Sequence, residues 1–152
     1  MKKHIFTAGA NSLQVVSEYI FDVPRHQVFK AFVDPTLIPK WWIDPTTTLI
    51  VEKMDVRNGG EWRFINRIEG GDYLFRGVYH KVVDNELVVT TWAFDPMPSV
   101  MLETVKFEDI DGKTKVIDQY LFQSLEDRQA MMDSGVTESA ILAMRERLEE
   151  LL

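Results

Sequence analysis

Cysteine is absent from this chain, and histidine is scarce, with three in 152 residues. Without thiols there is no disulfide framework, no zinc–thiolate site and no cysteine nucleophile. His4, His26 and His80 are widely separated, and no histidine–carboxylate pair has metal-site spacing, so neither a metal nor another cofactor is expected. No serine–histidine–acid set suggests itself either. His4 falls in an N-terminal tail, His26 in the first turn of a helix and His80 on a strand of unsettled facing, positions that suit structural or solvent-facing roles. Gly59-Gly60 is followed by neither a helix nor a Lys-Ser/Thr pair, so it is no phosphate loop. No run approaches the ~20 apolar residues of a membrane span. The basic start, Met1-Lys2-Lys3, does not lead into the apolar stretch of a signal peptide. Positive charge is in deficit too: 17 Lys and Arg against 24 Asp and Glu give a net charge of −7. Phosphate backbones bind basic surfaces, so nucleic acid is not an expected partner. What remains is a cytoplasmic globular domain, 45% hydrophobic and 27% charged, long enough to bury about two-thirds of its unfolded surface.

The patterning that is present predicts a single α+β unit over 1–152, with residues 1–11 a loosely ordered tail. Leu13 to Val23 alternates as a strand, with Val15, Ser17, Tyr19 and Phe21 on one face. Pro24 suits the start of a helix, where its missing N–H is no loss. Val28, Phe29, Phe32 and Val33 form that helix's apolar stripe, and Asp34-Pro35 ends it. A short helix over 36–42 follows. Strands are then predicted over 47–54, 60–68, 73–83 and 87–94, with a bulge or turn at Gly59-Gly60. The faces of 73–83 stay ambiguous: Phe75 and Tyr79 oppose Leu74, Val78 and Val82. Asp95 to Ser99 is a loop that two prolines keep out of a sheet interior.

The last hairpin carries the most information. A two-residue turn at Asp111-Gly112 sets Phe107 opposite Val116, Val105 opposite Asp118 and Glu103 opposite Tyr120. Met101, Glu103, Val105 and Phe107 then share the inward face with Val116, Asp118, Tyr120 and Phe122. Ser124 and Asp127 have capping-box spacing for a long terminal helix, kinked or interrupted at Gly135. Its buried stripe is Ile141, Met144, Leu148 and Leu151, while Arg145, Glu146, Arg147, Glu149 and Glu150 are assigned to water. A sheet bent around such a helix tends to leave a cavity between the layers.

Candidate binding residues follow from that frame. Trp41 and Trp42 are adjacent, so they point in different directions and cannot both fill one small site. One plugs the core and the other faces a cavity or partner. Trp41, Trp42, Trp62, Phe64, Phe75, Tyr79, Trp92, Tyr120 and Met132 are candidates for a pocket wall, as Phe94 and Met97 are; each also fits plain core. Glu103 and Asp118 lie diagonally on neighbouring strands. If both faced the apolar cavity, proximity and burial would split their pKa values. The alternative is a place at the rim, or pairing with Arg63, Arg67 or Arg76.

As a set, these features resemble the START-like, polyketide-cyclase-like (SRPBCC) superfamily, and within it the group named for the activator of heat-shock-protein-90 ATPase. The features are the Pro24 helix with Val28-Phe29-Lys30-Ala31-Phe32, Trp41-Trp42 with Pro45 close behind, Met54 to Phe64, Gly77-Val78-Tyr79, Val105 to Glu108, Asp111 to Thr114 and the 138–152 helix. The likeness spans about residues 12–152. It departs at Ile43-Asp44-Pro45, where the group has Gly-Pro directly after the tryptophans, and near Val136 to Glu138, where many members carry a tryptophan. The resemblance implies a helix-grip fold, a curved antiparallel sheet around a terminal helix, with an internal hydrophobic cavity. It does not imply a defined reaction. The expected function is binding of a small, largely apolar molecule, with no catalytic set. The alternatives are a co-chaperone-like module of the stress response acting on a heat-shock ATPase or other protein, and a cyclase- or hydrolase-type enzyme using Glu103, Asp118 or His80. A monomer and a homodimer are both compatible with the sequence, and no membrane partner is expected.

Overall fold

The computed structural model describes residues 2–95, 97 and 99–152; Pro96 and Pro98 of the expected 95–99 loop lie outside the described residues. In chain order the elements are β1 (His4–Thr7), β2 (Gln14–Phe21), α1 (Arg25–Val33), α2 (Ile38–Trp41), β3 (Thr48–Met54), β4 (Glu61–Ile68), β5 (Gly71–Val83), β6 (Leu87–Asp95), β7 (Val100–Ile110), β8 (Lys113–Leu121), α3 (Leu125–Asp133) and α4 (Glu138–Leu151). The strands form one antiparallel sheet in the order β1-β2-β8-β7-β6-β5-β4-β3. The sheet is curved and open, and α1, α2 and α4 pack against it. Consecutive strands from β3 to β8 are simple neighbours. The long-range pairing is β2 with β8, which brings the alternating Val15, Ser17, Tyr19 and Phe21 of β2 against the last strand.

Most local signals fold as they read. Asp34 ends α1, and its carboxylate accepts from the Thr36 N–H at 2.8 Å. The Asp111-Gly112 turn has φ of 52° and 87°, the positive values a two-residue hairpin requires, and the predicted pairs Phe107–Val116, Val105–Asp118 and Glu103–Tyr120 are all formed. The ambiguous faces of 73–83 are resolved by a register shift in the β5–β6 ladder between Tyr79 and Lys81. The extra residue, His80, lets Tyr79 and Val82 both turn toward the core although they are three apart. Gly77 sits opposite Trp62, and a Cβ there would lie 2.5 Å from the indole nitrogen and 1.9 Å from the Thr91 carbonyl oxygen. The missing side chain is what lets the indole lie across β5 and donate to Thr90 Oγ1 at 2.7 Å.

Two expectations change, and one left open is decided. Residues 4–7 are not part of a loose tail: they form an edge strand on β2, and Phe6 packs against the core. Four residues carry too little alternation to announce a strand, and pairing with β2 specifies this one. The terminal helix is interrupted rather than bent. Ser124 caps α3, the chain turns at Gly135 (φ 117°), and Thr137 caps α4. At the break the Val136 N–H donates to the Met131 carbonyl and the Gly135 N–H to that of Met132, the paired closure of a helix that ends in a left-handed residue. Finally, Arg145 does not face water; it is 1% exposed, within the core.

Candidate functional site

The short helix α2 sends its two tryptophans to different places. Trp41 is buried, donates from Nε1 to the Ala31 carbonyl at 3.0 Å and packs on the Phe32 ring at 4.7 Å. Trp42, at the helix end, is half-buried and stands edge-on to Phe64 at 5.3 Å and Phe75 at 5.1 Å. Those rings continue into Trp92 and Phe94, where Phe75 stacks on Phe94 at 4.9 Å. The strands β4, β5 and β6 thus present an aromatic wall, with Trp62 and Phe64 on β4 and Trp92 and Phe94 on β6 two residues apart, as the pleat requires.

That wall bounds a cavity of about 750 Å³ between the sheet and the α3–α4 segment. Trp42, Phe75, Trp92, Phe94, Met97, Glu103 and Tyr120 line it together with Ile43, Ile68, Met101, Val136, Ile141 and Met144. Exposed Asp44, Tyr73, Ser134 and Gly135 mark its mouth. Behind it lies a void of about 60 Å³, lined by Trp41, Trp62, Phe64, Tyr79, Asp118 and Arg145, among others. Trp42, Trp92, Glu103 and Met144 line both spaces. Ten of the eleven sequence-predicted residues are therefore brought to one place. Met132 is not: it is half-buried on α3 and lines neither space, whereas Met131 beside it is fully buried. One step along a helix rotates a side chain by about 100°, enough to take it off the core face.

Polar groups gather at the inner end. Asp118 is 1% exposed and accepts through Oδ2 from Arg145 Nη2 at 2.5 Å and from the Tyr120 hydroxyl at 2.9 Å. The Arg145 guanidinium lies over Phe32 (5.4 Å) and Trp41 (6.0 Å), so its faces are covered by rings. Arg63, Arg67 and Arg76, the partners weighed for the two carboxylates, instead pair at the surface with Glu52, Asp72 and Asp95. Burial pushes the Glu103 pKa well above the ordinary carboxylate value, and the negative charge of Asp118 pushes it further. Glu103 thus holds its proton to higher pH than an exposed carboxylate does, while Asp118 forms the ion pair. Burial raises the Tyr120 hydroxyl first and Asp118 adds to it. Burial also raises Tyr79, with Glu103 second. Burial alone would lower the Arg145 pKa, but Asp118, Tyr120 and Glu103 together outweigh it and the net shift is upward. The Arg145 Nε and Nη1 groups have no hydrogen-bond partner among the described residues.

Arg145 is the residue the sequence reading missed. The signal was available: it lies four residues after Ile141 and three before Leu148, on the apolar stripe. Its charge hid it, and only Asp118, from a strand 27 residues away, makes that position tolerable. His26 and His80 are exposed and line neither space. Among the described residues no three His, Asp or Glu side chains are grouped so as to hold a metal ion. No helix among them is long and apolar enough to cross a membrane.

Sheet, helices and cavity define an α+β protein of the helix-grip, START-like class. Over residues 22–152 the sequence matches the family described as Activator of Hsp90 ATPase homolog 1-like protein, and the chain belongs to that family. No protein of curated function matches it. Among solved structures, protein Ms6760 from Mycobacterium smegmatis is 20% identical with a TM-score of 0.87, covering 97% of this chain and 95% of its own. A protein from Arthrobacter aurescens is 18% identical with a TM-score of 0.88, covering 97% and 90%. One from Staphylococcus epidermidis is 20% identical with a TM-score of 0.83, covering 97% and 92%. At such identities the likeness is one of fold.

Proposed function

We propose that this protein binds a small, largely apolar molecule in the cavity between its sheet and terminal helices. The carrying observation is the aromatic-walled space of about 750 Å³, within the roughly 300–1,000 Å³ usual for small-molecule sites. Apolar area removed from water there contributes about 25 cal/mol per Å², less the cost of ordering the ligand. The polar groups at the inner end orient the bound molecule. Native mass spectrometry of the purified protein, compared with the unfolded chain, tests this: an added mass that leaves on unfolding is expected. Ala143, on the cavity wall, offers a control. Ala143→Trp intrudes on the space, so it should weaken uptake of the neutral probe Nile red at least tenfold while melting cooperatively. Uptake unchanged in that variant would overturn the cavity as the site.

A second reading is a co-chaperone-like module that docks on a protein, as the family description suggests. Leu102 and Leu121, paired across β7 and β8 on the outer face, are 36% and 40% exposed, and Leu13 nearby is 40% exposed. These apolar side chains support partner docking at the outer face. Leu102→Lys with Leu121→Lys would abolish such docking and leave Nile red uptake unchanged.

A further inference from the structure

At the inner end of the cavity, hydrogen-bond donors outnumber acceptors. Arg145 uses Nη2 on Asp118, and its Nε and Nη1 are left without partners although the side chain is 1% exposed. Tyr79, 5% exposed, brings a hydroxyl donor to the same wall. Both residues line the same void of about 60 Å³, room for roughly two waters. Buried donors without acceptors are unfavourable, so this space gains from an acceptor atom.

Charge selects the kind of acceptor. Asp118 and Arg145 already neutralise one another, and the Glu103 carboxyl shares a hydrogen bond with Asp118. A carboxylate or phosphate entering the void would meet the negative charge of Asp118. A cation would meet the guanidinium. An uncharged oxygen with lone pairs and no hydrogen meets neither objection. We propose, building on the cavity reading, that the void receives a neutral carbonyl oxygen of the ligand, held by the N–H groups of Arg145 and the hydroxyl of Tyr79. Trp42 and Trp92, which line both spaces, then flank the bond joining that carbonyl to an apolar body in the outer cavity. The ligand class is an apolar ketone, ester or amide rather than a fatty acid or an amine.

Displacement of Nile red by compounds of similar apolar body tests this on the intact protein: diphenylmethane, benzophenone and diphenylacetate. Benzophenone is expected to displace the probe at a concentration at least tenfold lower than either of the others. Tyr79→Phe should shrink that advantage about threefold. Asp118→Asn with Arg145→Gln, which removes both charges together and so strands neither, should abolish it. Equal displacement by benzophenone and diphenylmethane would overturn the carbonyl site and leave the cavity reading standing, the void then holding water only. Preference for diphenylacetate would overturn it in favour of an anion site, and an advantage intact in both variants would overturn the roles of Arg145 and Tyr79. Failure of every compound to displace the probe, or of the probe to bind, would remove the cavity reading itself.

Discussion

Trp41 and Trp42 are neighbours in the chain, yet they belong to unlike halves of the interior. On the Trp41 side, Phe29, Phe32 and Phe107 meet edge to face at 5.1–5.3 Å under α1, and Phe32 and Trp41 border only the void of about 60 Å³. On the Trp42 side, Phe75, Trp92 and Phe94 face a cavity of about 750 Å³. Both halves are equally aromatic. What differs is the cover. One is closed by a nine-residue helix that presents Val28, Phe29 and Ala31 to the sheet. The other is closed by the α3–α4 junction, where the chain turns at Gly135 and offers no large side chain until Val136. Apolar composition makes a core only where an element supplies the complementary shape; elsewhere the same composition makes a pocket. The buried Asp118–Arg145 pair stands between the halves, with the guanidinium over Phe32 and Trp41 on one side and lining the inner void on the other.

The divider is where the comparison breaks most easily. Arg145→Leu leaves Asp118 charged and alone in the core and is expected to cost about 3–5 kcal/mol in urea denaturation. Adding Asp118→Leu should recover at least half, because the stranded charge leaves with it. A double variant no more stable than Arg145→Leu would show that the loss lies in packing. Next come the tryptophans. Trp41→Ala, in the half with only the small void, should cost about 3–4 kcal/mol. Trp42→Ala should cost less than half as much and increase Nile red uptake, since its ring already borders open space. Equal costs would erase the distinction between the halves.

A smaller effect separates them by pH. The Glu103 carboxyl, on the hollow side, is raised above its ordinary value of 4.5 by burial and then by Asp118. Between that value and its folded-state pKa the native chain holds a proton that the unfolded chain has lost. Its contribution to stability is therefore full below about 4.5 and declines as pH rises toward the folded-state pKa. Urea midpoints of Glu103→Gln should lack this decline, so the variant gains on wild type as pH rises. Parallel pH profiles would show that Glu103 is not buried as a neutral acid. The smallest expected effect is at the cover itself. Thr137 accepts from the Ala140 N–H at 3.2 Å to start α4, and Thr137→Ala should cost about 1 kcal/mol in thermal unfolding.

Much of the fold was legible because it is written locally. Alternation, the Asp34-Pro35 stop, the Asp111-Gly112 turn and the Ser124 cap each act within a few residues, and they were enough to set Glu103 and Asp118 on one inward face. The family likeness rests on the same residues. Less of the site was legible. Met132 and Met131 look alike in sequence, and one step of helix rotation decided between them. Arg145 read as solvent-facing because a lone buried charge is costly, and its partner lies on a strand that no local pattern connects to it.

By itself, then, the sequence determined most of the elements, the register of the final hairpin and the inward placement of Glu103, Asp118 and Tyr120. Those outcomes depend on backbone preferences and two- or 3.6-residue periods, which neighbours in the chain enforce. Tertiary structure alone decided that His4 to Thr7 joins the sheet, that Arg145 pairs with Asp118 in the core, and that the Trp42 side stays hollow while the Trp41 side keeps only the small void. Each of these is a balance between groups distant in sequence: pairing against solvation, charge against charge, and volume supplied against volume enclosed.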